Sequence, residues 1–359
     1  MDMTFSFRNM KNWLKLLIYS FREWGILGFI QKPWAFRRGF TKEMVSLCKI
    51  TSKNHCEFIS DWEHNNRWPF NKPYQGAVSD KLGLVRILHE YKECMPEYYF
   101  FIDQYGLLPL WDCPNKDSIF AYRVDASAFI KLLDLKKILV IKPTHSEVGW
   151  GVMIAKRTTN GYSLNGKDCN VEELKSKISK AYNNIVTEYI IQHEYARKIC
   201  DTSLNTIRML GVWNSETCQF EIIRCFHRFG CNGNVVDNVG SGNGLLVYVD
   251  IETGILEDIG LINENHKGDR VAHHIVHPDS HISLTGLQIP YFQEMKAKVL
   301  KILNENSYLR YVGFDVAITE DGFKIIEANG SSTPSVAQVK GGFLKDKRMV
   351  DLFNSIKPL

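Results

Sequence analysis

Apolar and polar positions follow two periods along this chain, and the switches between them set the predicted elements. Over residues 10–29 the apolar residues Trp13, Leu16, Leu17, Phe21 and Trp24 recur at helical spacing. Residues 51–74 are polar, hold Pro69 and Pro73, and read as a linker or irregular cap. A helix is expected from Ser79 or Asp80, either of which can cap it, to about Cys94, ahead of Pro96. Residues 98–102 read as a strand, 124–137 as a helix, and 138–141 as a buried strand ending in Lys142-Pro143. A strand over 152–155 and a helix over 171–184 follow. Strands then dominate, at 186–194, 203–213, 221–228 and 245–249, which points to an antiparallel sheet. An amphipathic helix is expected over 289–306, a polar loop that closes over a site over 331–342, and a short terminal helix over 343–359.

Between the last two helices lies the run Gly313-Phe-Asp-Val-Ala-Ile-Thr-Glu-Asp-Gly-Phe-Lys-Ile-Ile-Glu-Ala-Asn329, two short strands around a tight turn. The turn length decides its chemistry. A three-residue loop, Glu320-Asp321-Gly322, pairs Thr319 with Phe323 and so sets Asp315 opposite Glu327, with Asn329 on the same face. A two-residue turn would put the two acids on opposite faces. The three-residue loop is preferred because two carboxylates beside an amide oxygen suit a hard Mg²⁺ ion carrying nucleotide phosphates. The competing reading is a surface hairpin with two solvated acids. The apolar neighbours Ile325, Ile326 and Ala328 instead place Glu327 at the rim of a core.

Composition narrows the field little. The 359 residues suffice for two or three domains or one composite one, and 45% hydrophobic with 23% charged residues is ordinary for a globular chain. A net charge of +4 and the lack of any nucleic-acid signature argue against a nucleic-acid partner. The nine cysteines lack CxxC pairing and read as reduced thiols of a cytoplasmic protein. No uncharged apolar run is long enough to span a bilayer, and Lys11, Lys15 and Arg22 interrupt the N-terminal one, so a signal peptide is not expected. Basic and aromatic residues intermix over residues 1–40. They fit either a helix lying on an anionic membrane, a peripheral contact at its inner face, or a helix packed on the protein's own core. His273, His274, His277 and His281 raise zinc, but no nearby cysteine or carboxylate pair completes a set.

A second candidate phosphate element is the strand ending in Lys142, the glycine-containing loop 144–151 and the strand after it. Glycines let backbone approach phosphates, and the lysine supplies a point charge. It is not a Walker A loop, since GxxxxGK[ST] is absent and no helix follows. A glycine-rich loop also spans 240–244.

Taken in order, the Lys142-Pro143 strand with its loop, the strand at 188–194 and the Asp315…Glu327-Ala-Asn329 hairpin resemble the ATP-grasp superfamily. More narrowly, Ser203-Leu-Asn-Thr-Ile-Arg208, Arg224, Val236-Asp-Asn238, His277-Pro278 and Ile289-Pro290 look like the sugar-transfer-associated ATP-grasp family, related to alpha-L-glutamate-ligase-like proteins. The resemblance covers residues 78–342. It implies an α+β fold in which two α+β subdomains grip ATP, preceded by a helical N-terminal extension. The expected division is an extension over 1–75, an ATP-grasp domain over 76–342 (76–137, an ATP-lid part 138–195, a catalytic part 196–342) and a helix over 343–359.

It also implies roles. Lys142 and Lys81 would contact the nucleotide phosphates, Glu188 would accept from the adenine amino group beside backbone near Ile190 and Ile191, and Glu194 would meet the ribose. Asp315, Glu327 and Asn329 would hold Mg²⁺, while Arg208 and Arg224 would neutralise the transferring phosphoryl group. Arg228, Asp237 and Asn238 are the acceptor-site candidates. Glu147 and Trp150 depart from the small residues or lysine usual in such a phosphate loop. The implied activity is ATP-dependent carboxylate–amine ligation through an acyl-phosphate, joining small-molecule, sugar-linked substrates (a uronic acid or amino sugar) in surface polysaccharide biosynthesis. A phosphotransferase on the same fold and a non-catalytic scaffold at a membrane glycosyltransferase are the alternatives.

Overall fold

The computed structural model describes residues 7–67, 69–114, 122–145, 150–233, 237, 244–262, 269–332 and 334–356. The N-terminal region is helical: α1 (Phe7–Gln31, kinked at Gly25), α2 (Pro33–Arg38), α3 (Lys42–Leu47), α4 (Asp61–Arg67), α5 (Gln75–Ser79) and α6 (Lys81–Ile87). The stretch at 51–74, expected as a linker or irregular cap, packs into the body through its described residues. Phe58, Ile59, Phe70 and Asn71 within it are buried. The helix expected over 79–94 stops at Ile87, and a 3-10 turn, His89–Cys94, replaces its second half. The Asp80 carboxylate accepts from the Gly83 amide at 2.8 Å, which fixes this helix start and the position of Lys81.

Two seven-stranded antiparallel sheets make up the rest. The first contains β1 (Tyr98–Asp103), β2 (Gly106–Pro109), β3 (Ile138–Pro143), β4 (Met153–Thr158), β5 (Gly161–Leu164), β6 (Lys167–Cys169) and β7 (Asn184–Glu188), in the order β2-β1-β7-β3-β4-β5-β6. One face of it carries α7 (Ala126–Lys136) and α8 (Val171–Ser179), whose Phe129, Leu133, Leu174 and Ile178 pack with Leu139, Ile141 and Val186. Strand alternation turns Lys142 to the opposite face, over the ring of Tyr98. The short helix α9 (Glu194–Ile199) leads to the second sheet.

That sheet contains β8 (Ile207–Asn214), β9 (Gln219–Phe229), β10 (Leu245–Val249), β11 (Leu256–Leu261), β12 (Val271–Ala272), β13 (Tyr311–Thr319) and β14 (Gly322–Asn329), in the order β12-β11-β10-β9-β8-β13-β14. The long helix α10 (Phe292–Glu305) packs Met295, Val299 and Ile302 on the face that bears Met209, Val312, Phe314 and Val316. The other face bears Arg208 and Asp315, and the two chain ends cover part of it. From the N-terminal region, Phe40 and Met44 pack on Phe226, Leu246 and Tyr248, and Ile59 and Phe70 pack on Leu210, Val212 and Tyr311. From the C-terminal end come α11 (Pro334–Ala337) and α12 (Lys347–Ser355), whose Met349 and Leu352 join the same cluster. The polar stretch after residue 331 is thus no open loop. Its Gln338 is fully buried, donating to the Ile59 carbonyl and accepting from the Ile59 and Phe343 amides.

The hairpin reaches its expected pairing by another route. Thr319 pairs with Gly322 across a two-residue Glu320-Asp321 turn, not with Phe323 across three residues. A bulge between the Asp315 and Val316 pairs absorbs one residue of β14 and restores Asp315 opposite Glu327.

Candidate active site

Four cations and three carboxylates from seven segments meet between the sheets. Asp315 is buried in the middle of β13, and Arg208, its neighbour on β8, donates to both its oxygens, from Nη2 to Oδ2 at 2.7 Å and from Nε to Oδ1. Arg228 on β9 reaches the same Oδ2 at 2.9 Å and lies 3.5 Å from Asp237. Asp237 accepts from the Thr206 amide at 2.9 Å and from its hydroxyl. Across the hairpin, Lys81 Nζ lies 3.7 Å from Glu327 Oε2, and the Asn329 amide donates to Glu327 Oε1 at 3.3 Å. Arg208 also donates from Nη1 to Ser332 Oγ at 3.2 Å. A glycine is required beneath this contact. A Cβ on Gly313 would stand 2.4 Å from Ser332 Oγ and 2.9 Å from Arg208 Cδ.

Burial alone would raise the Asp315 pKa, but the two guanidinium groups outweigh it and hold the carboxyl well below the usual range. Glu327 is moved the other way. Burial and the neighbouring Asp315 charge raise it against the pull of Lys81. Two acids pushed apart in this manner mark a place where a further cation would relieve repulsion. Lys142 carries the complementary signal. Burial and the adjacent Lys81 lower its pKa to about 8, and among the described residues no carboxylate lies within ion-pair distance of it. Tyr98 beside it is buried with no hydrogen-bond partner for its hydroxyl among the described residues.

The oxygen donors of Glu327, Asn329 and Asp315 suit a hard divalent cation, and the paired lysines suit the anion it would carry. In this arrangement the two arginines already occupy three of the roughly four acceptor positions of Asp315, so Glu327 and Asn329 are the freer ligands. Among the described residues no three His, Cys, Asp or Glu side chains form a metal-binding group. His277 is buried, with Nε2 2.8 Å from the Gly230 carbonyl and Nδ1 facing the Asp279 and Ser280 amides.

The other residues named from the sequence lie apart from this cluster. Arg224, on the same strand as Arg228, donates to the Ala337 and Gly341 carbonyls and lies over the Phe343 ring, so it ties down the C-terminal segment. Glu188 ends β7, where its carboxylate accepts from the Glu97 amide at 2.8 Å. Ile190 beyond it is buried and Ile191 exposed. Glu194 opens α9 with an exposed side chain paired with Lys198. Its backbone amide, with Arg197, grips Glu320 at the hairpin turn, which fixes the connection between the sheets to the hairpin. Asn238, Glu147 and most of the glycine-rich stretch 240–244 lie outside the described residues.

Thr206, Ser332 and Tyr98 take part in the site although the sequence did not single them out. Thr206 sits in the quoted run ending at Arg208 and Ser332 three residues past Asn329, so proximity to a named motif was their only signal. Tyr98 was hidden in an apolar strand.

A model of the sugar-transfer associated ATP-grasp family matches residues 69–350. Among curated protein sequences, none matches. Similar solved structures include the ATP-grasp ligase PsnB complexed with minimal precursor, at 12% identity and a TM-score of 0.37, covering 79% of this chain and 63% of that one. D-alanine–D-alanine ligase from Bacillus anthracis is 11% identical, with a TM-score of 0.38 and coverage of 78% and 67%. L-amino acid ligase from Bacillus licheniformis is 10% identical, with a TM-score of 0.38 and coverage of 79% and 49%. The chain thus spans less than two thirds of the length of the first of these.

Proposed function

The chain belongs to the sugar-transfer associated ATP-grasp family, and from this premise we propose that it is an ATP-dependent carboxylate–amine ligase. The observation that carries the reading is the meeting of the hairpin oxygens of Asp315, Glu327 and Asn329 with Lys81, Lys142, Arg208 and Arg228 in one buried cluster. Phosphoryl transfer needs little covalent help from protein. It needs charge placed where phosphate oxygens will lie, and water kept out.

In this reading Lys142 and Lys81 hold the nucleotide phosphates, and Glu327, Asn329 and Asp315 hold Mg²⁺. A metal ion held there would supply positive charge to screen the phosphate oxygens. Glu188 and the backbone at Ile190 and Ile191 line the adenine edge, and Glu194 stands toward the ribose. Arg208 and Arg228, both released from Asp315 as an anion arrives, stabilise the transferring phosphoryl group. Arg228 takes the place first assigned to Arg224, which is engaged by carbonyls. A substrate carboxylate attacks the terminal phosphorus of ATP and ADP leaves. An amine then attacks the acyl carbon and phosphate leaves. The arginine-rich side of the cluster, with Asp237 next to it, receives the acceptor, and Asn238 shares this role on the family resemblance alone. A sugar acid or amino sugar of a surface polysaccharide is proposed from the family's association with sugar transfer.

Product analysis tests this. Incubation with ATP, Mg²⁺, sugar acids and amino acids is expected to yield ADP, phosphate and an amide. ADP with a phosphoester would replace the ligase reading with a phosphotransferase.

A further inference from the structure

Residues 10–29 lie within the helix α1, which is held to the body on one side and exposes apolar residues on another. Ser20 donates to the Phe36 carbonyl at 2.8 Å, and Trp24 Nε1 donates to the Phe40 carbonyl at 2.7 Å. The adjoining side carries largely exposed apolar residues, of which Phe21 and Phe29 rest edge-on against Phe36 at 4.7 and 5.1 Å. Trp13, Leu14, Ile18 and Phe21 are exposed, Ile18 by 62%, and with Leu17 they fill an arc of roughly 140° on a helical projection. Lys15 and Arg22 lie exposed along one border of that arc. Beyond the kink at Gly25, whose φ is 65°, the surface continues with Ile26, Leu27 and Ile30, and Phe29 stacks on Phe21 at 6.2 Å to join the halves.

An exposed apolar surface of this extent marks a contact with something else. Charge decides what that is. Residues 7–40 hold seven Lys or Arg and one acid, Glu23, whose carboxylate accepts from the Lys42 amide. Lys15, Arg22, Lys32 and Arg37 are exposed around the apolar strip. Among the described residues no helix is long and apolar enough to cross a membrane. An apolar strip bordered by cations, on a helix that does not span, fits an interface of acyl chains beneath anionic headgroups.

We propose that the outer face of α1 seats this protein on the surface of an anionic lipid bilayer, lying in the interface plane. Trp13, Leu14, Ile18, Ile26, Leu27 and Ile30 enter the acyl boundary, and Lys15, Arg22, Lys32 and Arg37 meet the headgroups. This docking surface is independent of the ligase reading.

The test is co-sedimentation of the full chain with vesicles of phosphatidylcholine plus phosphatidylglycerol, and with phosphatidylcholine alone. The chain is expected to sediment with the anionic vesicles and to be released by raised salt. Replacing Leu14→Glu and Ile18→Glu together should lower the bound fraction at least about tenfold, since both side chains are solvent-facing in the free protein and apolar insertion is lost. Lys15→Glu with Arg22→Glu should weaken binding to anionic vesicles. Near-ultraviolet circular dichroism of both variants should match the parent and exclude misfolding. A chain that stays in the supernatant, or sediments equally in the Leu14→Glu/Ile18→Glu variant, overturns the proposal. So does a dimer in sedimentation equilibrium that this variant dissolves while vesicles are ignored, which would assign the face to a second copy.

Discussion

Lys142 is a buried cation whose charge is opposed by burial and by Lys81, against a weaker pull from Glu327, and no carboxylate lies within ion-pair distance of it among the described residues. With its pKa lowered to about 8, it is protonated below that pH and neutral above it in the free protein. An anion beside it favours the charged form, so binding above pH 8 takes up a proton. Nucleotide affinity should therefore fall by up to about tenfold per pH unit above 8, by one-proton linkage, and stay flat below it. Calorimetric titrations at several pH values in two buffers would show the slope and the proton uptake. Lys142→Arg should flatten the profile, since an arginine stays charged throughout. A flat profile in the parent would contradict the placement of Lys142. Its position was legible from sequence, as a polar residue closing an apolar strand. The choice between Arg224 and Arg228 was not. Both lie on one strand at even spacing, and only the partner across the sheet distinguishes them: Asp315 for Arg228, two carbonyls for Arg224.

At the scale of elements, the hairpin shows what sequence periodicity can and cannot determine. Turn chemistry leaves two- and three-residue loops both open around Asp321-Gly322, and they differ by one residue of register. The need for two acids on one face selected the right pairing, Asp315 with Glu327, but the bulge that delivers it leaves no local signature in Ile325-Ile326-Glu327. The longer helices α1, α7, α8 and α10 and the long antiparallel strands were legible because each rests on local period, whereas the short helices α2 to α5, α9 and α11 were not read. Strands β2, β5, β6, β11 and β12 were not read, being short or weakly alternating. The hairpin that carries Asp315, Glu327 and Asn329 is also steadied by a residue from the stretch 51–74. Asn71 is buried, donating to the Tyr311 and Gly330 carbonyls at 2.8 and 3.1 Å and accepting from the Arg310 and Tyr311 amides at 2.7 and 3.1 Å. It joins the start of β13 to the residue after Asn329. Asn71→Ala leaves those groups unpaired and should cost about 2–4 kcal/mol in urea unfolding. A loss under about 0.5 kcal/mol, the size of an ordinary surface change, would show that the tie is dispensable.

For the molecule as a whole, the chain ends that looked appended are part of the core. Phe40, Met44, Ile59 and Phe70 cover the sheet face that carries Arg208 and Asp315. Polar composition in 51–74 hid this, because the burial there is made by a few residues at irregular spacing. Removing residues 1–75 should leave Phe226, Leu246, Tyr248 and Tyr311 uncovered, and the remainder should aggregate or lose its cooperative thermal transition. A truncated chain that melts sharply at the parent temperature would contradict this integration. The central claim concerns what the two sheets enclose: the hairpin carboxylates hold a metal–nucleotide against the paired lysines. Calorimetric titration of Mg²⁺–ATP into the parent and into Glu327→Gln tests it most directly. The account predicts binding by the parent, weakened in the variant by no less than the roughly 10–100-fold that loss of a metal-site partner costs. Equal affinity in both, or no binding by the folded parent, would contradict it.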